Sequence, residues 1–210
     1  MEREIQLQVN NVDPSEVEEL VLDNWNGEQL SLEHKQLLER YNNLDFLSLS
    51  GCGLRSLKNF PELPNLIKLD LTHNDLSGEL ESISHLPELM QVCLNSNRIA
   101  TLQELEPLKP LENLISLDLD QNPVCELPEF RKKVFKILPQ LKLLDDLNSE
   151  GEEGPLFSEE EEDQDEEDLG FLDELGQIGS DYEVEVEETT NSKRPRQYNS
   201  EATPQKRTKQ

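Results

Sequence analysis

Leucines recur in this 210-residue chain with a spacing that favours a strand followed by a tight turn. Between Leu66 and Leu76 the sequence reads LIKLDLTHNDL, and Asn74 stands two residues before the last leucine. Because side chains alternate across a strand, Leu69 and Leu71 share one face while the residues between and beside them take the other. The amide of Asn74 can satisfy unpaired backbone groups where such a strand ends. The segment therefore predicts a strand with one apolar face, closed by a buried asparagine.

The same spacing returns three more times without gaps. The central apolar residues of the four copies are 22, 23 and 25 residues apart: Leu47, Leu69, Val92 and Leu117. This is the leucine-rich repeat L-x-x-L-x-L-x-x-N-x-L, whose copies stack to bury a continuous core. The asparagine position holds Cys52 in the first copy, and a degenerate fifth copy with Trp25 at that position precedes it, as expected for an end repeat.

The repeats predict an α/β fold over residues 1–148, a leucine-rich-repeat solenoid with a parallel concave sheet and short helices or 3-10 turns on the convex side. Residues 1–16 should cap the first repeat. Their secondary structure stays open, because Ile5, Leu7 and Val9 alternate as in a strand while Asp13-Pro14 is typical of a helix start. At the other end, the apolar stripe of Glu129–Leu138 predicts a capping helix, followed by a last strand around Leu143.

Other local signals refine this picture. Proline-rich connections such as 57–64 predict helical or 3-10 turns. Thr101 and Glu104 have the spacing of a capping box and should open one such turn. Cys52, Cys93 and Cys125 are expected to be reduced, with Cys93 on the concave surface.

Residues at the outward positions of the strands form the predicted partner face of the solenoid. They combine acidic, amide, aromatic and basic side chains: Glu19, Asp23, Phe46, Lys68, Asp70, Gln91, Asn95, Asp118 and Asp120.

Charge divides the chain into three parts. Residues 1–149 carry 26 acids against 13 Lys and Arg, residues 150–192 carry 19 acids and no Lys or Arg, and residues 193–210 carry six basic residues and one acid. No apolar run approaches the roughly 20 residues of a membrane span, and the first residues lack a signal peptide. We expect a soluble, intracellular protein without a membrane partner, made of a folded domain, an acidic region at 149–192 and a basic end at 193–210.

The acidic region is too charged and too poor in apolar residues to fold by itself. It predicts either a solubilising tail or a polyanion that mimics nucleic acid toward basic proteins. The acids concerned are Glu159, Glu160, Glu161, Glu162, Asp163, Asp165, Glu166, Glu167 and Asp168. An apolar island follows that could anchor a basic partner or act as a nuclear export signal: Phe171, Leu172, Leu175 and Tyr182.

The basic end has the spacing of a bipartite nuclear import signal, recognised by an import carrier: Lys193, Arg194, Lys206, Arg207 and Lys209. The alternative is a basic end that folds back on the acidic region. Three serines, each with an acid three residues on, are predicted sites for an acid-directed kinase: Ser149, Ser158 and Ser180.

Catalysis is not expected. The three histidines, His34, His73 and His85, are not spaced for a triad or a metal site, and the chain has no glycine-rich phosphate loop. We predict no catalytic residue, no metal and no cofactor.

The chain resembles the acidic leucine-rich nuclear phosphoprotein 32 family over nearly its whole length. The resemblance is strongest at 17–24, 111–119 and 134–141, which read VEELVLDN, LENLISLDL and VFKILPQL. It implies nuclear residence with shuttling, binding and chaperoning of core histones, and inhibition of histone acetylation and of type 2A protein phosphatase. The tail departs from the family pattern, being short and interrupted by apolar residues.

We therefore expect a monomeric histone-binding protein that acts on chromatin. The alternative is a leucine-rich adaptor scaffold in RNA processing or nuclear export. Direct nucleic-acid binding is not expected, because the basic cluster at 131–136 fits an exposed helix face in a domain with net negative charge.

Overall fold

The computed structural model describes residues 1–10 and 12–153, and a single parallel sheet runs through them. Its six strands follow one another in chain order, each paired only with its sequence neighbours. They are β1 (Glu19–Val21), β2 (Phe46–Ser48), β3 (Lys68–Asp70), β4 (Gln91–Cys93), β5 (Ser116–Asp118) and β6 (Leu143–Leu144). This order is that of a solenoid in which each repeat contacts only the next, and it confirms the predicted fold class.

The register places the predicted apolar residues in one inward row. Leu20, Leu47, Leu69, Val92, Leu117 and Leu144 are aligned across the six strands, and none of their surface is exposed. The core is one repeat thick, so each of these side chains is enclosed by the repeats on both sides and by the turns opposite the sheet.

Buried asparagines join the repeats behind the strands. Asn97 Oδ1 accepts a hydrogen bond from Leu76 N at 3.0 Å, and its Nδ2 donates to Leu71 O and Leu94 O at 2.9 Å each. The same arrangement recurs at Asn74 and Asn122. In the first full repeat the Cys52 thiol takes this place and donates to Leu22 O at 3.3 Å. The predicted ladder is confirmed.

Short helices and turns occupy the connections. The α-helices are α1 (Glu2–Val9), α2 (Leu32–Leu38) and α3 (Phe130–Ile137), and the 3-10 helices are Pro14–Glu16, Leu80–Ile83, Leu102–Leu108 and Pro123–Glu126. Thr101 and Glu104 form the predicted capping box. The prediction of a helical turn at 57–64 was wrong: this connection contains only turns, because Pro61 and Pro64 interrupt it and Asn59 has a left-handed backbone.

The N-terminal cap is helical, so the strand-like alternation at its start was misleading. In α1 the side chain of Ile5 is buried and that of Leu7 is 74% exposed. The next turn of α1 brings Gln8 to the free edge of β1, where its amide donates to Val21 O and accepts from Val21 N. This contact satisfies a strand edge that would otherwise be open to another chain.

The C-terminal cap closes the opposite end of the sheet. In α3 Val134 is buried, and the helix ends at Ile137, before Pro139, as predicted. Arg131 reaches from α3 to the last repeat, where its Nη1 donates to Leu144 O at 2.6 Å and to Leu147 O at 3.1 Å. Among the helices that the structure describes, none is long and apolar enough to cross a membrane.

Candidate functional site

The face of the sheet that points away from the core, here called the concave face, carries two rows of side chains. The first row is Glu19, Phe46, Lys68, Gln91, Ser116 and Leu143, and the second is Val21, Ser48, Asp70, Cys93 and Asp118. Six of the nine residues predicted for the partner face stand in these rows. The other three, Asp23, Asn95 and Asp120, lie two residues beyond the strands.

The negative charge of this face is held by side chains with different partners. Asp23 accepts hydrogen bonds from the Ser48 hydroxyl and from Ser50 N, the latter at 3.1 Å. Asp70 accepts from Thr72 N at 2.8 Å. Each of these carboxylates is fixed by the turn that follows a strand, so the anionic groups are positioned before any partner arrives.

Positive charge is sparse on the same face. Lys68 is the one basic residue in the two rows, and its Nζ lies 5.7 Å from the centre of the Phe46 ring, a cation–π distance. Glu19, Asp23, Asp70, Asp118 and Asp120 outnumber it. Because a surface of one sign steers and holds partners of the other, the concave face favours a cationic partner.

Burial differs between the side chains of the concave face, even between those close in sequence. Glu19, Asp23 and Asp120 are exposed, whereas Asp118 retains only 9% of its surface and Ser116 none. Burial raises the pKa of the Asp118 carboxyl, the nearby Asp146 carboxylate adds to that shift, and the Cys93 thiol, the Gln91 amide and Lys68 oppose it. Asp118 is thus the most desolvated acid of the predicted set.

Cys93 is less accessible than its outward position suggested. It faces the concave side, but only 8% of its surface is exposed, and the Gln91 amide nitrogen lies 3.8 Å from its sulfur. Burial raises the pKa of the Cys93 thiol strongly, and the adjacent Asp118 carboxylate reinforces the shift. The thiol is therefore a poor nucleophile at neutral pH.

The histidines take structural positions. His34 Nδ1 accepts from Ser31 N in the capping box of α2, while His85 Nε2 lies 3.0 Å from a Glu62 carboxylate oxygen. His73 occupies a left-handed turn after β3. Within residues 1–10 and 12–153, no three His, Cys, Asp or Glu side chains gather into a potential metal site.

The basic cluster at 131–136 is divided by α3. Arg131 points inward to the last repeat, and Lys133 Nζ donates to Pro128 O at 2.6 Å, which leaves Lys132 and Lys136 exposed. The four side chains therefore do not form one continuous basic surface.

The predicted tail sites fall outside the described residues. This holds for the acids at 159–168, the apolar island, the import residues at 193–209, Ser158 and Ser180. Ser149 is described and exposed, in a turn whose Asn148 side chain accepts from Glu150 N and Glu152 N. Its phosphorylation stays a prediction.

Sequence reasoning missed Ser48 and Ser116 on the concave face. Both occupy the alternate positions from which the other residues were inferred, so strand alternation could have found them. Serine was passed over because it is small and uncharged, yet Ser116 lies at the most buried end of the face.

Comparisons with known proteins agree with this architecture. The family model described as a leucine-rich repeat matches residues 34–150. Acidic leucine-rich nuclear phosphoprotein 32 family member A of Drosophila melanogaster is 37% identical over 153 residues, which cover 73% of this chain and 57% of the relative. The chain thus spans a little more than half the length of this relative.

A solved structure gives the same fold. One chain in the crystal structure of the Drosophila melanogaster SNF/U2A' complex matches with a TM-score of 0.53 and 33% sequence identity, covering 62% of this chain and 73% of the matched chain. The resemblance predicted from the sequence is confirmed by these matches.

Proposed function

Because the chain belongs to the leucine-rich-repeat family, whose stacked repeats present an extended surface to partners, we propose that it binds basic proteins, core histones foremost, and acts on chromatin without catalysing a reaction. Two acidic parts of the chain contribute to binding: the concave face and the acidic residues at 150–192. The observation that carries the proposal is the charge of the concave face, where five acids stand against Lys68.

The two surfaces contribute in different ways. Residues 150–192 contain 19 acids and no Lys or Arg, so their attraction to a histone is long-ranged and weakens as salt screens it. The concave face holds its carboxylates at fixed positions along successive strands, which favours an extended basic segment laid across the sheet. The charge of residues 150–192 therefore attracts the partner over a distance, whereas the fixed carboxylates of the concave face favour a partner with an extended basic segment.

Nuclear localisation supports a chromatin role. The relative described above is named a nuclear phosphoprotein, and the basic clusters at 193–194 and 206–209 have bipartite spacing. Changing Lys206, Arg207 and Lys209 to alanine in a tagged full chain should shift it to the cytoplasm. An unchanged nuclear signal by microscopy would assign import to another segment.

Histone binding by the full chain is the direct test. We expect calorimetry with a histone H3–H4 tetramer to show weaker binding when Asp70 and Asp120 are changed to asparagine, and weaker binding again when Glu159 to Glu162 are changed to glutamine. A matched control changes Glu88 and Glu112, which are exposed and lie outside the concave face, to glutamine. If the control loses as much affinity as the concave variant, the concave face has no specific part in binding.

The apolar island adds a component that salt does not screen. Burial of a large apolar side chain contributes about 1.5–3 kcal/mol, so Phe171→Ala with Leu172→Ala should weaken histone binding equally at low and high salt. If this variant and the wild type coincide across a salt series, the island is not a histone anchor and the export-signal interpretation gains support.

A leucine-rich adaptor in RNA processing is the second candidate. The similarity to a chain of the SNF/U2A' complex favours it, because that chain belongs to a protein assembly and shares the repeat fold at 33% identity. An adaptor would keep its partner when residues 159–162 lose their charge, whereas tail-assisted histone binding would weaken. The glutamine variant thus separates the two candidates.

A further inference from the structure

The connection between β1 and α2 contains the one Asn-Gly pair of the sequence, Asn26-Gly27. In such a pair the backbone nitrogen of the glycine can attack the side-chain carbonyl carbon of the asparagine, because glycine has no side chain to hinder the ring closure. The Asn26 side chain is exposed, so water reaches the group that would react. Whether the reaction occurs therefore depends on the freedom of the Gly27 nitrogen.

The nitrogen of Gly27 is held by the second repeat. It donates a hydrogen bond to Cys52 O at 3.1 Å. The residue after Gly27 is tied to the same repeat, because Arg55 N donates to Glu28 O at 2.8 Å and Arg55 Nη1 lies 2.9 Å from Glu28 Oε1. A nitrogen fixed in this way cannot turn toward the Asn26 side chain. The docked first repeat therefore protects Asn26.

The ring of Trp25 explains why glycine occupies position 27. A Cβ atom added to Gly27 would lie 2.7 Å from Trp25 Cζ3 and closer still to Cη2, so a larger residue fits there only if the ring moves. Trp25 packs against the apolar core, and its ring meets the His34 ring edge-on, with 4.8 Å between the centroids. The packing of the first repeat thus requires the residue that makes Asn26 reactive.

The protection lasts only while the first two repeats stay together. In a solenoid each repeat is held by its neighbours, and local opening of an end costs less free energy than unfolding of the whole domain. When the bond from Gly27 N to Cys52 O breaks, the nitrogen becomes free to attack. The reaction rate is then the rate of the unprotected segment multiplied by the fraction of molecules that are open.

We propose that Asn26 is a site of spontaneous deamidation, controlled by the separation of the first repeat from the second. The Gly27 nitrogen gives its proton to the solvent and forms a bond to Asn26 Cγ. The bond from Cγ to the amide nitrogen breaks, and this nitrogen takes up a proton and leaves as ammonia, which produces a cyclic succinimide. Water then adds to one of the two ring carbonyl groups, and the ring opens to aspartate or isoaspartate. Water is the only co-reactant.

Isoaspartate prevents the first repeat from docking again in its original register. Its main chain runs through the former side chain and is one atom longer before Gly27, which displaces Gly27 N from Cys52 O. Asp23 crosses the same boundary between repeats, where it accepts hydrogen bonds from the Ser48 hydroxyl and Ser50 N. The modification therefore also releases one acid of the concave face from its fixed position.

Peptide mapping by mass spectrometry measures the reaction in the full chain at neutral pH. A synthetic peptide of residues 20–32 gives the unprotected rate. Digestion with Asp-N protease separates the products, because this enzyme cleaves before aspartate and not before isoaspartate. We expect the folded chain to react at least about tenfold more slowly than the peptide, which corresponds to an opening free energy of about 1.4 kcal/mol or more. Asn26→Gln should remain unmodified.

Two core variants distinguish local from global opening. Leu22→Ala leaves a cavity in the first repeat and should accelerate deamidation about tenfold or more, toward the rate of the peptide. Leu138→Ala is the matched control, because its side chain is as deeply buried at the opposite end of the solenoid; it should leave the rate unchanged. Trp25→Ala is a milder variant that uncovers Gly27 without removing a fully buried side chain, and it should also accelerate the reaction.

Three results would overturn the proposal. Equal rates in the folded chain and the peptide would mean that the bond to Cys52 O gives no protection. Equal acceleration by Leu22→Ala and Leu138→Ala would mean that the reaction follows unfolding of the whole domain. An unmodified Asn26 in both Leu22→Ala and Trp25→Ala, at a time when the peptide has reacted completely, would mean that Asn26 is not a deamidation site.

Discussion

Two sets of buried polar side chains differ in how they are paired: the ladder asparagines in the turns that follow the strands, and the residues on the concave face. Behind the sheet, Asn97 uses both ends of its amide in three hydrogen bonds within 3.0 Å. On the concave face, Asp118 and Ser116 are buried to a similar degree, and the unpaired oxygen of each has no partner within the described chain. Asn97, Asp118 and Ser116 are thus buried to a similar degree, but only Asn97 has all its buried polar atoms hydrogen-bonded.

The difference follows from what each face must do. The ladder joins one repeat to the next, so a missing bond there lowers the stability of the whole stack. The side chains of the concave face contribute less to joining repeats, so an unpaired group there lowers stability without breaking the ladder. Substitutions in the ladder and at the unpaired groups of the concave face should therefore change stability in opposite directions.

The largest effect is expected at the ladder. Asn97→Ala removes the partner of Leu76 N and of two carbonyl groups, Leu71 O and Leu94 O. Each buried group left unpaired costs about 1–3 kcal/mol, so the free energy of unfolding should fall by about 3 kcal/mol or more. Urea denaturation followed by circular dichroism measures the loss.

Asn113→Ala is the control for this prediction. Asn113 is exposed and makes a single side-chain bond, to Pro87 O at 2.9 Å, so its loss should cost below about 1 kcal/mol. Equal destabilisation of the two variants would show that the ladder contributes nothing beyond an ordinary hydrogen bond.

A comparable effect is expected at the inward row. Leu69→Ala or Leu117→Ala leaves a cavity in a core one repeat thick and should cost about 2–5 kcal/mol. Leu7→Ala, at a side chain that is 74% exposed, should leave the melting temperature nearly unchanged. If the Leu117 variant melts with the wild type, the register of the repeats is wrong.

A smaller loss is expected at the edge of β1. Gln8→Ala removes both bonds to the backbone of Val21, but these groups are exposed and water replaces the amide. The free energy of unfolding should fall by about 1 kcal/mol, whereas Gln6→Ala on the same helix should have no effect. Concentration-dependent association of the Gln8 variant, measured by light scattering, would show that the amide also protects the strand edge.

The repeats could be predicted from the sequence because every fixed position reports the same constraint. Leu69, Asn74 and their equivalents recur in register, and each copy supports the interpretation of the next. The cap lacked this support: Ile5, Leu7 and Val9 fit a strand, yet the structure places them in α1. Eight residues without a repeat contain too little periodicity to separate the two.

The sequence predicted which side of the sheet the site residues face, but not how strongly each of them is buried. Strand alternation placed Asp118 on the concave face correctly. It could not indicate that Asp118 is buried there, because burial depends on side chains contributed by another repeat, such as Cys93 and Gln91. A count of acidic residues in the sequence treats Asp118 and Asp120 alike, whereas in the fold Asp118 is buried and Asp120 is exposed.

The smallest expected effect has the opposite sign. Asp118→Asn removes a buried charge but leaves an unpaired amide, so it should stabilise the protein by less than about 1 kcal/mol at pH 7.

Burial raises the pKa of Asp118 in the folded protein, so the folded state binds its proton more readily than the unfolded state does. The destabilisation by this carboxyl is therefore complete above the folded-state pKa and disappears as the pH falls to the ordinary aspartate value of about 3.9. The wild type and the Asp118→Asn variant share all other acids, so the difference between their free energies of unfolding reports the contribution of Asp118 alone. Urea denaturation between pH 7 and pH 3 should show the advantage of the variant shrinking toward zero with falling pH. Two curves that remain parallel throughout would mean that the Asp118 charge costs the fold nothing.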